Sequence, residues 1–149
     1  WWDYYNQGDE GACVGFSSSR MMSLLNRKRY DPRWLYREAQ LIDEYLDTPP
    51  AEGTSVRAAF EILRVRGHCV FSYGVTQPES IPEGISVYRW ATSVDEVHKT
   101  LMMPLADKLG AVPLLNSWGR NYPHIVWLPD DTLERLRLED GEIGLATDR

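Results

Sequence analysis

Proline and glycine cut this chain into short lengths. Nine prolines and eleven glycines are spread along its 149 residues, and several of them mark where helices begin and stop. Asp31-Pro32 reads as an N-cap followed by a first-turn proline, and Pro49-Pro50 closes the helix that it opens. Gly67 stops a third helix, and beyond it the apolar runs shrink to four or five residues, the length of strands. Helices early and short strands late predict an α+β fold in one domain, with a helical half over about 1–70. The sheet half and a C-terminal helix take about 71–149.

Periodicity fills in the elements. From Cys13 to about Asn26 the positions Val14, Phe16, Met21, Met22, Leu24 and Leu25 fit a largely buried helix. The second helix is expected from Pro32 to about Asp47, with Leu35, Ala39, Ile42 and Leu46 on one stripe. Thr54 or Ser55 caps the third, which turns Val56, Ala59, Phe60 and Leu63 inward. Residues 69–90, which include Pro78 and Pro82, read as loop with short strands. Ser93 followed by Glu96 is a capping box for a helix over about 94–103. Val112–Leu115 and Ile125–Leu128 are expected as buried strands, and Asp130 or Asp131 as the cap of a last helix carrying Leu133 and Leu136.

Charge and composition exclude some functions. The formal net charge is −6, and an acidic surface repels phosphate backbones, so no nucleic-acid partner is expected. The short basic run Arg27-Lys28-Arg29 reads as a solvated patch. No apolar stretch reaches the roughly 18 residues that span a bilayer. No Cys/His group has zinc-ligand spacing, so neither a metal nor another cofactor is expected. The two cysteines, Cys13 and Cys69, are too few to make a disulfide scaffold.

One of those cysteines stands where a nucleophile would. The reactive form of a thiol is the thiolate, and a helix N-terminus carries partial positive charge that stabilises it. Cys13 lies where a glycine-containing loop enters the first helix, with Gly11 and Ala12 leaving room for a substrate. Gln7 is on the same loop, so its amide and the Cys13 N–H can together form an oxyanion hole. Near the other end stands Asn116-Ser117-Trp118-Gly119, directly after a short apolar run.

The run from Gln7 to Cys13 and the Asn116-Ser-Trp-Gly119 motif, in that order, resemble a papain-like cysteine peptidase of the bacterial or phage-like kind. Val14 departs from the family's usual tryptophan after the nucleophile. The resemblance implies a helical subdomain facing an antiparallel β subdomain across a cleft, here incomplete. It assigns Cys13 as nucleophile, Gln7 to the oxyanion hole and Asn116 to orienting a catalytic imidazole. Trp118 would shield that imidazole's hydrogen bond, and the Gly53 backbone would pair with substrate. The implied activity is peptide-bond hydrolysis through a Cys13 acyl-enzyme, with a polypeptide as substrate or ligand.

The family's histidine precedes its asparagine by roughly 15 to 20 residues. Here Thr100 to Gly110 contains none, and only about a dozen residues stand where several strands belong. Of the three histidines, His98 falls on a predicted helix and reads as solvated, His68 as a loop or cap residue, and His124 in Tyr-Pro-His-Ile matches no motif. Two readings stay open: a stretch between about Pro104 and Val112 is missing from the sequence, or the protein lacks this base. The first makes the chain a thiol peptidase. The second makes it an inactive papain-like module that binds a peptide or joins a larger assembly. Acyl transfer such as transglutamination at the same site is a third reading.

Overall fold

The computed structural model describes residues 4–44, 52–71 and 83–148. Three helices come first: α1 (Cys13–Asn26), α2 (Pro32–Gln40) and α3 (Val56–Val65). They are followed by β1 (Ile85–Trp90), α4 (Val94–Leu101), α5 (Pro104–Leu109), β2 (Ala111–Leu115), β3 (Ile125–Pro129), α6 (Asp130–Leu138) and β4 (Gly144–Asp148). The strands make two antiparallel pairs, β1 with β4 and β2 with β3. The fold is therefore α+β, with three helices before residue 70 and three more interleaved with the strands after it. No helix among the described residues is long and apolar enough to cross a membrane.

Local chemistry sets most of the boundaries. Asp31 accepts from the Arg33 and Trp34 amides, Ser55 from Ala58 and Ser93 from Glu96, each supplying an acceptor to an orphan first-turn donor. The second helix ends earlier than its periodicity suggests, at Gln40 rather than about Asp47. Asp43 is buried instead, and its carboxylate holds the Thr54 hydroxyl at 2.7 Å and the Ser55 N–H at 2.6 Å. The chain leaves α2 to serve the start of α3. The expected terminator Pro49-Pro50, with Leu46, Pro78 and Pro82, lies outside the described residues.

Other expectations are corrected in the sheet half. The run expected to be one helix over 94–103 stops at Leu101, with Met102 in the left-handed region, and Pro104 opens a separate α5. Gly110, at φ 58°, turns that short helix straight into β2. Strand β3 is largely exposed rather than buried, since its one partner is β2. Neither Asp130 nor Asp131 caps α6 through its side chain, because the Asp130 carboxylate is bound to His98. Strand β4 has no sequence signal of its own; it runs back along β1, where Gly144 lies so close to Phe60 that a Cβ would sit 2.4 Å from the ring.

Three apolar clusters result. The largest joins α1, α2 and α3 around Met22, Tyr30, Leu35, Phe60 and Leu63, and extends to Ile85 of β1. A small one of Tyr5, Ala12, Phe16 and Tyr36 lies beneath the Cys13 loop. The sheet half has Ala91, Val97, Val112 and Leu133, few residues for the elements they support. Leu101, Met102, Leu109, Leu114, Ile125, Trp127, Leu136 and Leu138 around them are exposed.

Candidate functional site

Cys13 is the first residue of α1 and is exposed. The residue before it, Ala12, has no side chain that can cap the helix, so no side chain accepts from the first-turn N–H groups. Gly15 brings α1 against the start of α2, and Gly11 brings the loop against residues 52 and 53. A Cβ on Gly11 would lie 3.3 Å from the Gly53 nitrogen. Gly53 itself has φ +100°, in the range that glycine adopts freely. Its N–H donates to the Tyr36 hydroxyl at 3.1 Å and its carbonyl accepts from Gln40 Nε2 at 3.2 Å. The backbone pairing that the resemblance assigns to Gly53 is thus already engaged inside the protein.

The asparagine motif docks on the other side of the loop. Asn6 and Trp118 face each other in an isolated antiparallel bridge. The Gln7 N–H donates to the Ser117 carbonyl at 2.8 Å and the Gly119 N–H to the Tyr5 carbonyl at 2.9 Å. Side chains repeat the link, with Ser117 Oγ donating to Gln7 Oε1 at 2.6 Å. Gln7 Nε2 donates to the Glu10 carbonyl at 3.2 Å, which folds the loop back on itself. Gln7 therefore joins the Cys13 loop to the segment after Asn116 by both backbone and side chain. Ser117, Asn6 and Tyr36 carry as much of this arrangement as the motif residues do. Ser117 sits inside the motif and gave a usable signal; the other two act through partners remote in sequence.

Asn116 and Trp118 are placed differently from what the resemblance implies. Asn116 Oδ1 accepts from the Trp118 N–H at 3.0 Å, and its buried Nδ2 has no hydrogen-bond partner among the described residues. Trp118 is 58% exposed and meets Tyr122 edge-on with ring centres 5.7 Å apart. It covers no imidazole–asparagine hydrogen bond.

The histidines are engaged elsewhere. His68 is a loop residue, as expected, but it is fully buried. It is stacked on Tyr30 at 4.7 Å and lies within hydrogen-bond distance of Ser19 Oγ, at 2.7 Å from its Nε2. Burial pushes its pKa down to about 3, so it is neutral. His124 lies across the β2–β3 turn from Asn116, whose N–H donates to the His124 carbonyl at 3.1 Å. Its ring meets Tyr4 at 4.4 Å, and burial, then the Arg20 charge, hold its pKa below the usual histidine value.

His98 is not solvated. Nδ1 lies 2.8 Å from an Asp107 oxygen and Nε2 2.8 Å from an Asp130 oxygen. A neutral imidazole has one N–H, so only the imidazolium donates to both carboxylates. The Asp130 hydrogen bond raises its pKa above the usual value, partial burial opposes this, and Asp107 adds to the rise. The cation ties α4 to α5 and to the start of α6. Because the folded pKa is raised, this contribution is complete below the unfolded value near 6.5 and is lost as pH climbs through the folded value. His68 acts in the opposite sense, since proton uptake below about pH 6.5 favours the unfolded chain. The Tm difference between wild type and His98→Gln should therefore be largest at pH 6 and shrink by pH 9, with the His68 effect common to both proteins. A difference that is constant across this range contradicts the ionic clamp.

No hydrogen bond joins the Cys13 thiol to any histidine among the described residues. Compared with protein families, curated proteins and solved structures, the chain matches none of them.

Proposed function

We propose that the protein binds polypeptide chains at a papain-like cysteine site whose thiol has no imidazole partner. The observation that carries this reading is Gln7. It fastens the Cys13 loop to the Asn116 segment through the Ser117 carbonyl and hydroxyl, the juxtaposition expected of a nucleophile loop and its asparagine motif. Beside it, the His98 ring is held by two carboxylates and His68 is buried against Ser19 and Tyr30. Without a base, the thiol lacks the group that takes its proton and later protonates the leaving amine. Ligand recognition then falls to the Cys13 loop and the exposed apolar side chains of the sheet half.

A second reading, a thiol peptidase working through a Cys13 acyl-enzyme, is favoured by the exposed position of Cys13 at an uncapped helix start. One experiment separates the two. The protein is incubated with an unfolded polypeptide for a day, and the polypeptide and both cysteines are read by mass spectrometry, the cysteines after a pulse of iodoacetamide. We expect an intact polypeptide and alkylation of Cys13 on the order of a hundredfold faster than Cys69, the factor for a local opening of about 3 kcal/mol. Cys69 is 8% exposed, and burial and the Asp31 charge raise its thiol pKa. New chain termini that disappear with Cys13→Ala would establish the peptidase instead.

A further inference from the structure

A groove of about 710 Å³ opens between the helical half and the sheet half. Met21 of α1, Phe60 of α3, Val97 of α4, and Leu133 and Leu136 of α6 form its apolar walls. Val112, Pro113 and Leu114 also line it. Val112 and Leu114 share one face of the strand, and Val112 packs there with Val97 and Leu133; Pro113 between them belongs to the opposite face, so the groove also reaches the strand's edge. The other edge of β2 is occupied by β3.

The ladder shows what that edge offers. Asp130 N–H donates to the Gly110 carbonyl and Asn116 N–H to the His124 carbonyl. In an antiparallel pair, hydrogen-bonded positions alternate. With the register Ala111↔Pro129 to Leu115↔Ile125, Val112 and Leu114 therefore bond to β3, while Ala111, Pro113 and Leu115 turn their backbone groups outward. Among the described residues nothing pairs with them. Proline has no N–H, so the edge presents three carbonyls and two donors; Pro113 lines the groove itself, and Ala111 and Leu115 continue the edge on either side of that lining.

We infer that this groove takes an extended polypeptide segment, added as a strand to the β2 edge, with apolar side chains and basic flanking residues; the inference rests on the polypeptide-binding reading above. An unpaired strand edge asks for a backbone of complementary donors and acceptors. The walls ask for apolar side chains. The basic flanks follow from the groove's far rim, where Glu139, Asp140 and Glu142 stand; Arg137 is paired with Glu134 at 2.7 Å and Glu139 lies 4.0 Å from Arg135, while Glu142 accepts from the Val56 N–H, so Asp140 and Glu142 leave the rim negative. A second copy of this chain would bring the same acidic rim and its own net charge of −6, which opposes self-association. The groove's α1 wall lies on the same helix stripe as the thiol. Ser17 and Met21 line it, and with Cys13 they fall at i, i+4 and i+8 on one stripe of α1.

The probe is a fluorescent decapeptide of alternating valine and threonine with two lysines at each end, titrated into the Cys13→Ala protein and read by anisotropy. Removing the thiol makes the result independent of whether Cys13 can cleave, so failure here leaves the cleavage experiment above unaffected. Saturable binding is expected. It should weaken by about tenfold, roughly 1.4 kcal/mol, with Leu136→Asp, with N-methylation of alternate peptide amides, and with glutamates in place of the lysines. Leu136 is 43% exposed, so this variant should fold, and circular dichroism checks that it does. Absence of saturable binding overturns the proposal. So does an N-methylated peptide that binds equally well, because strand addition requires those amides. A dimer in sedimentation that Leu136→Asp dissociates also overturns it, in favour of a second copy as occupant.

Discussion

Gly15→Ala will destabilise the protein by about 2 kcal/mol, the cost of forcing an extra carbon into a tight contact, and lower Tm by about 4–8 °C. In an isolated helix the same change would stabilise, because alanine exceeds glycine in helix propensity by about 1 kcal/mol. The sign is reversed by packing. A Cβ on Gly15 would lie 2.6 Å from the Pro32 carbonyl oxygen and 2.7 Å from Tyr36 Cβ. Backbone on one side and the root of a side chain on the other cannot swing aside, so α2 has to move away from α1. That shift carries Tyr36 with it, whose hydroxyl binds the Gly53 N–H beside the Cys13 loop. Gly15→Val, larger and branched, should cost more still. Gly8→Ala is the control: its φ is +64° but nothing lies within 4 Å of the added carbon, so it should cost about 1 kcal/mol from backbone conformation alone. Thermal unfolding of the four proteins checks the order. A Gly15→Ala protein more stable than wild type would show that the two helices are not in this contact.

What the sequence discloses and what it hides follow the range of the interactions involved. Caps were legible because Asp31, Ser55 and Ser93 act on amides two or three residues away. The end of α2 was not, because it depends on Asp43 meeting Thr54 and Ser55 across a loop. Asp130 looked like a cap because that is the local role of an aspartate before a helix; His98, 32 residues earlier, takes its carboxylate instead. His68 read as a loop or cap residue, and nothing near it in sequence announces its burial, the stack on Tyr30 or the bond to Ser19. Strand β4, Gly144–Asp148, carries no alternating apolar pattern and is defined by its pairing with β1.

The candidate site divides in the same way. Gln7, Cys13 and Asn116 could be picked out by residue type and order. The placement of Asn116 Oδ1 on its own Trp118 amide, and of Gly53 on Tyr36 and Gln40, could not. These contacts engage Asn116 Oδ1 and the Gly53 backbone inside the chain, while the buried Asn116 Nδ2 has no partner among the described residues.

The central claim is that the Cys13 loop and the Asn116 motif form one site, and a cross-link tests it most directly. Asn6 and Trp118 are directly opposite, flanked by the Gln7–Ser117 and Gly119–Tyr5 hydrogen bonds. That is the narrow, non-hydrogen-bonded type of antiparallel pair, with Cα atoms about 4.5 Å apart, within disulfide range. In a Cys13→Ala background, Asn6→Cys with Trp118→Cys should oxidise in air to a bond that closes a loop of about 110 residues. Such a loop stabilises by up to about 4 kcal/mol after the lost Trp118–Tyr122 contact is subtracted, or about 10 °C in Tm. The measurement is free-thiol content of the native double variant, with Tm taken before and after reduction. The account predicts one free thiol, Cys69, and a Tm that falls on reduction. Three free thiols in the native state, with the bond forming only after denaturation, would contradict it.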